Sequence, residues 1–342
     1  MTASPPAPGT RLASRLGLTE RVFAGPRGRK LISVIEEGLD RVEANIAVEL
    51  KSADQLVDAT TRYLYEAGGK RVRPMLALLT AQLGDGATDD VIAGATALEL
   101  THLGSLYHDD VMDGADVRRG VPSAHAVWGN SVAILTGDLL FSRVGLHTDG
   151  GFERLVLGQM HETVGPQAGD DPVAFYLQVL ADKTGSLIAA AAQAGVTFSN
   201  GPSEFEAPLI AFGERAGVAF QLLDDVIDLS ADPDETGKVP GTDLRAGVPT
   251  MPYLLLGQRT DAASVALRAQ IDQGVADIAD GADPAILDEP LARLRDHEAT
   301  AATQALAGEW SDAAIDALGP IPDGAVREAL TRFARAVADR SS

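Results

Sequence analysis

Cysteine is absent from this 342-residue chain, which excludes a disulfide framework, a thiolate nucleophile and a cysteine-based zinc site. Aromatic residues make up only 5% and β-branched runs are few, so helices are favoured over strands. Positive charge is scarce too. Lys30, Lys51, Lys70, Lys183 and Lys238 are all the lysines, and 28 basic residues face 49 acidic ones for a formal net charge of −21. That balance argues against a nucleic-acid partner or an anionic membrane surface, and it makes an anionic substrate unwelcome unless cations or metals are placed locally. The N-terminus carries Pro5, Pro6 and Pro8 and lacks the apolar core of a signal peptide. The longest uncharged stretch, Thr184 to Ser203, is rich in Ala, Gly, Ser and Thr and reads as an internal helix with its exit loop, not a membrane span. A soluble cytoplasmic protein without a transmembrane segment is the expectation.

What is present supports a large core: 45% of the residues are hydrophobic. Residues 1–28, with their Pro, Gly and Arg, read as a mobile N-terminal segment. From Leu31 onward apolar residues recur at helical spacing almost to the end. Helices are expected over 30–50, 53–67, 74–83, 89–113, 131–147, 150–165, 172–198, 204–230, 251–258, 262–280, 284–316 and 323–340. The breaks between them carry Gly68-Gly69, Gly84-Asp85-Gly86, Gly120-Val121-Pro122, Gly201-Pro202 and Gly319-Pro320. No strand alternation or hairpin dipeptide stands out. The fold class is all-α: one large helical domain over 29–342, its helices packed around a central cavity.

Two acidic runs interrupt that apolar pattern, Asp109-Asp110-Val111-Met112-Asp113 and Asp224-Asp225-Val226-Ile227-Asp228. Positions i and i+4 lie on one helix face, so Asp109 points with Asp113, and Asp224 with Asp228. Carboxylates so arrayed suit Mg²⁺, which keeps several waters and shares a few protein oxygens with a substrate phosphate. Two such helices facing each other would hold a cluster of metals around one polyphosphate, which implies an enzyme. Other acid pairs read differently. Asp89-Asp90 and Asp170-Asp171 each stand at a loop-to-helix boundary and are structural, as helix caps. The runs at 109 and 224 instead end apolar stretches, where carboxylates are costly unless something positive meets them.

The scarce cations supply that partner. Gly68-Gly69-Lys70-Arg71-Val72-Arg73-Pro74 sets three of them at a helix start, with Pro74 suited to the first helical position. Cations there oppose the helix dipole, and a bound anion supplies the reason for them. Arg118-Arg119 close the loop after the first acidic run, where they could neutralise its carboxylates or grip phosphate oxygens. Lys183-Thr184 interrupts a helix of small and apolar neighbours. Lys238 sits in a loop after the second run. His102 lies two turns before Asp109 on nearly the same face, and His108 adjoins the acid pair as a supporting neighbour.

Taken together, these segments resemble the trans-isoprenyl diphosphate synthases, the polyprenyl synthetase family. The matching residues are Gly69 to Pro74, His102, His108 to Asp113, Arg118-Arg119-Gly120, Lys183-Thr184, Gln221, Asp224 to Asp228, and Gly237-Lys238 through Gly241-Thr242-Asp243-Leu244, in order over about residues 30–260. The resemblance implies the isoprenoid-synthase fold and condensation of isopentenyl diphosphate with an allylic diphosphate primer. Asp109, Asp113 and Asp224 look like direct Mg²⁺ ligands for three ions per active site, with Asp110, Asp225 and Asp228 acting through water or as occasional ligands. Lys70, Arg73, His102 and Arg119, with Arg71 nearby, look like the isopentenyl diphosphate site. Arg118, Lys183, Thr184, Gln221 and Lys238 look like the allylic site, Thr184 and Gln221 also offering oxygens to steady a carbocation. The family implies a homodimer. One departure is Gly247-Val248-Pro249-Thr250, where many relatives carry a further lysine.

The growing tail would run from Asp109 back along its helix, past Ser105 and Gly104. Both are small, and the family resemblance ties a bulky residue there to short products, so a product of geranylgeranyl length or longer is expected, such as a menaquinone side chain. A terpene cyclase usually carries a different second metal motif, and a non-catalytic subunit would tend to lose an Asp or a cation that this chain keeps. An acidic ion-buffering surface would leave the placed cations unexplained.

Overall fold

The computed structural model describes residues 22–23, 26–144, 151–230 and 240–338. In chain order the first helices are α1 (Pro26–Glu49), α2 (Gln55–Glu66), α3 (Val72–Thr80) and α4 (Asp89–Met112). A two-stranded hairpin, β1 (Val117–Arg118) and β2 (Val121–Pro122), leads to α5 (Ala124–Trp128) and α6 (Asn130–Val144). Then come α7 (Gly151–Val164), α8 (Pro172–Leu180), a π-turn over Ala181–Gly185, α9 (Ser186–Phe198) and α10 (Glu206–Ser230). The remainder is α11 (Thr242–Arg245), α12 (Met251–Gly257), α13 (Ala262–Ala279), α14 (Asp288–Arg295), α15 (Glu298–Ala317) and α16 (Ala325–Ala338). The all-α class is as expected. Among the described residues no helix is long and apolar enough to cross a membrane.

Local chemistry accounts for the helix starts. Thr88 caps α4 by accepting from the Val91 N–H, and Asp89 and Asp90 follow in the first turn, favourable to the dipole. Asp171 caps α8, accepting from Val173 and Ala174 at 2.9 Å each. The expected helix over 284–316 is divided: a 3₁₀ turn covers Pro284–Leu287, and α15 begins afresh after α14, its Ala299 N–H donating to His297 Nδ1 at 3.1 Å. A histidine cap leaves no trace in hydrophobic periodicity. Pro74 is also misplaced by the sequence reading, because α3 starts at Val72 and Pro74 is its third residue.

The chain divides into two compact units, Met1–Glu153 with Leu187–Gly213 and Ala317–Phe333, and Arg154–Ser186 with Glu214–Asp316 and Ala334–Ser342. In the first, α1 buries a stripe of Leu31, Ile35, Leu39, Val42 and Ile46, the period of an amphipathic helix. It packs with α3 on α4, which is covered on its other sides by α5 and α6. Tyr107, fully buried on α4, donates to the Thr60 carbonyl and accepts from the Leu64 N–H at 3.2 Å, pinning α2 in place. The second unit has its own core of Leu229, Leu244, Leu256, Leu267, Ile271, Leu287, Leu291 and Leu294.

Candidate functional site

In the first unit, α4 ends at the first acidic run. Asp113 caps it, and Gly114 at φ 61° turns the chain into the hairpin. The hairpin turn is Arg119-Gly120, both at positive φ (54° and 78°), the requirement of a two-residue loop matched to strand twist. The sequence reading found no hairpin because Arg-Gly stands where Asn-Gly or Asp-Gly is the usual signal. This turn aims two arginines. Arg118 Nε returns to Asp110 Oδ1 at 2.6 Å, and Asp110 is fully buried with its Oδ2 left without a hydrogen-bond partner. Burial raises the Asp110 pKa against the pull of Arg118. Arg119 donates to the carbonyls of Leu64 (2.9 Å) and Gly68, fastening the Gly68-Gly69 loop. Asp109 is half-buried and Asp113 exposed.

The three cations after Gly69 do not share one fate. Arg71 stands at φ 50° as the residue before α3, a strained conformation for a non-glycine residue. It is buried between Glu43 (2.6 Å) and Glu99 (3.2 Å), over the Tyr65 ring. Arg71 is therefore engaged by two of the protein's own carboxylates. Arg73, two residues on, forms no ion pair among the described residues, and its Nε is buried without a hydrogen-bond partner. Burial, with the nearby Arg119 charge, lowers its pKa despite the pull of Glu99. His102 lies beside it. Burial and then the charges of Arg73, Arg119, Arg118 and Arg71 hold the His102 pKa well below the ordinary histidine value, so the ring is neutral. With exposed Lys70, these residues form a positive cradle.

In the second unit, α10 carries the second acidic run. Asp225 is buried; its two oxygens accept from Tyr176 Oη at 3.1 and 3.0 Å, and Oδ2 also accepts from the Met251 N–H at 2.9 Å. Burial pushes its pKa up to about 8. Asp224 is exposed and Asp228 half-buried. The Asp228 carbonyl accepts from the Gly241 N–H at 2.9 Å, returning the chain toward α11. The sequence reading noticed that Lys183-Thr184 breaks a helix. The break is a π-turn, a widening that recurs at functional positions. Lys183 pairs with Glu162, and the neighbouring Asp182 with Arg154. Thr184 and Gln221 are half-buried in this unit. Gly185 and Gly217 touch where the turn meets α10, for a Cβ on Gly217 would lie 2.6 Å from the Gly185 Cα.

Lys238 lies outside the described residues. Gly104 does not border open space: a Cβ there would stand 3.0 Å from Phe141 Cε1 and 3.3 Å from the Gly137 carbonyl, so its smallness serves the close packing of α4 on α6. Ser105 is half-buried and bonds its own helix at His102 O. His108 faces α6, 3.0 Å from the Ile134 carbonyl. Val248 is partly exposed. Sequence reasoning missed Glu43, Glu99, Tyr176, Arg154 and Glu162. Glu99 carried the one usable signal, an acid inside the apolar run before His102.

Comparison with known proteins fits this arrangement. Residues 54–282 match the polyprenyl synthetase family. The chain is 40% identical to the nonaprenyl diphosphate synthase of Mycobacterium tuberculosis over 87% of its own length and 91% of that protein's. It is 32% identical to the octaprenyl diphosphate synthase of Haemophilus influenzae, covering 89% and 94%. Among solved structures, a polyprenyl synthase from Caulobacter crescentus complexed with calcium and isoprenyl diphosphate superposes with a TM-score of 0.81 at 28% identity, covering 95% and 98%. A geranylgeranyl pyrophosphate synthase from Corynebacterium glutamicum, likewise complexed, gives 0.78 at 36%, covering 93% and 98%.

Proposed function

The chain belongs to the polyprenyl synthetase family, and from that premise we propose that it is a trans-prenyltransferase condensing isopentenyl diphosphate with an allylic diphosphate to make a medium- or long-chain polyprenyl diphosphate. The observation that carries this reading is the cradle of Arg73, Arg119, Lys70 and neutral His102, where half-buried Arg73 keeps a buried Nε without a hydrogen-bond partner. A diphosphate would accept from it, and the planar guanidinium suits its oxygens.

Asp109, Asp113, Asp224 and Asp228 are the carboxylates offered to divalent cations, three Mg²⁺ in our reading. Asp110 and Asp225 are already engaged by Arg118 and by Tyr176, which suits them to bracing their neighbours. Among the described residues no three acidic or histidine side chains are gathered closely enough to cage an ion alone, so in this reading the cations complete their shells with water and substrate phosphate. Bound Mg²⁺ would supply Lewis-acid pull on the allylic diphosphate. The chain's own residues do the rest. Lys183 meets the allylic diphosphate, the oxygens of Thr184 and Gln221 steady the allylic cation, and the cradle holds isopentenyl diphosphate by its diphosphate. The departing pyrophosphate takes the proton lost at the end, so no protein base is required.

Long-chain relatives and the half-buried, small Ser105 support a product of geranylgeranyl length or beyond. Exposed Ile134 and Leu135 on α6 support a homodimer. Incubation with labelled isopentenyl diphosphate, an allylic primer and Mg²⁺ tests the reaction; hydrolysis or cyclisation of the primer without elongation rejects it. Ser105→Phe is expected to shorten the product, and an unchanged chain length on chromatography defeats the tail direction.

A further inference from the structure

Arg154, Gly158 and Glu162 recur every fourth residue on α7 and so share one face. That face meets the π-turn step by step. Arg154 Nε donates to Asp182 at 2.8 Å, and its other end pairs with Glu214 at 2.7 Å. At Gly158 a Cβ would stand 2.6 Å from the Lys183 backbone nitrogen, so helix and turn touch there only because the residue is glycine. Glu162 then meets Lys183 Nζ at 2.5 Å, the two side chains 26% and 21% exposed. The charges are crossed, cation to Asp182 and anion to Lys183. Slippage by one residue would set Arg154 toward Lys183 and would be repelled.

The geometry points to Glu162 as a positioning residue that holds Lys183 ready for the allylic diphosphate and takes it back when pyrophosphate leaves. This rests on the prenyl-transfer reading above, since Lys183 must meet a diphosphate. A partly buried ammonium without an anion is disfavoured by desolvation. Glu162 supplies that anion while the site is empty, and a diphosphate with its larger charge displaces it. When pyrophosphate departs, the Glu162–Lys183 pair re-forms, so release is eased. An enzyme that adds many units must clear this position every cycle.

The test is calorimetric titration of inorganic pyrophosphate, with Mg²⁺, into resting wild-type enzyme and Glu162→Gln, alongside steady-state kinetics. Glutamine keeps the shape and removes the competing charge. Pyrophosphate is expected to bind roughly threefold to tenfold tighter to the variant, the size of one part-exposed ion pair. KM for the allylic substrate falls with it, KM for isopentenyl diphosphate stays put, and kcat drops as release slows. Glu162→Asp returns these values toward wild type, and Glu162→Met reproduces the tightening. A purely structural role would lower the melting temperature and leave the two KM values moving together. Unchanged or weaker pyrophosphate binding in both the Gln and Met variants overturns the inference. Should the wild-type enzyme bind pyrophosphate but elongate nothing, the functional reading fails while the titration still decides this one.

Discussion

The two units treat their cations in opposite ways. Around α3 and the hairpin, Arg73 and Arg119 crowd a neutral histidine, and Arg73 forms no ion pair among the described residues, Glu99 acting on it only from a distance. Around α7 and the π-turn every described cation is matched: Arg154 by Asp182 and Glu214, Lys183 by Glu162. The first arrangement is disfavoured by burial and like charge, which an arriving anion relieves, and that favours holding a substrate. The second is balanced when empty, which favours letting a product go. In the proposed reaction isopentenyl diphosphate keeps its diphosphate through bond formation, whereas the allylic partner surrenders its own, and the contrast follows that division of labour.

Arg73→Met breaks the contrast from the strained side and carries the largest effect. KM for isopentenyl diphosphate is expected to rise about 10-fold to 100-fold, the worth of charged hydrogen bonds lost. The unliganded protein should nonetheless gain stability, on the order of 1–3 kcal/mol, because a buried unsatisfied group is gone. Initial rates and a thermal melt without substrate check both, and a destabilised apo protein would show that the pull of Glu99 on Arg73 outweighs the cost of its burial. Arg154→Met attacks the balanced side and should do the reverse. Asp182 and Glu214 lose their shared cation, at a cost of about 1–3 kcal/mol once discounted for the third of the arginine that meets solvent. A chemical melt showing no loss would place these pairs among the many surface contacts worth nothing.

The smallest effect sharpens the comparison between the acidic runs. Asp110 is met by a full charge, Arg118, whereas Asp225 is met only by a phenol and an amide, and its pKa is pushed up from 3.8 to about 8. A carboxyl whose pKa rises on folding binds its proton more tightly in the folded state. Its contribution is therefore complete in acid below the unfolded value and is lost as pH climbs toward the folded one. The unliganded wild type should lose stability steadily between about pH 4 and about pH 8, and Asp225→Asn, which cannot ionise, should flatten that slope. Parallel slopes for the two proteins would discard the assignment.

Much of the fold was legible because helical periodicity is local. The stripe of Leu31, Ile35, Leu39, Val42 and Ile46 names its own buried face. Breaks that depend on one side chain were less legible. The cap at His297 divides a continuous apolar pattern, and α11 is a single turn held by a hydrogen bond from the Gly241 N–H back to the Asp228 carbonyl. In the site, both acidic runs and the cation-rich loop were plain from residue type and spacing. Their supporting residues were not, since Tyr176 lies 49 positions from Asp225 and Glu162 lies 21 from Lys183. Gly104 shows the same limit: a small residue can mark an open tunnel or a tight helix crossing, and Phe141 and Gly137 assign it to the latter.

Composition and spacing alone determined an all-helical chain, the pairing of Asp109 with Asp113 and Asp224 with Asp228 on single faces, and a shortage of cations so severe that each one needed a reason. Those properties follow from bond geometry and helix pitch, which act over a turn or two. The tertiary structure decided which cation is spent and which is kept. Arg71 and Arg73 are separated by one residue, yet a positive φ turns the first into ion pairs with Glu43 and Glu99, each 28 positions distant, while the second forms no ion pair among the described residues and keeps a buried Nε without a hydrogen-bond partner. Charge–charge energies depend on separation in space and on the water excluded between partners, and neither is written in the order of the residues.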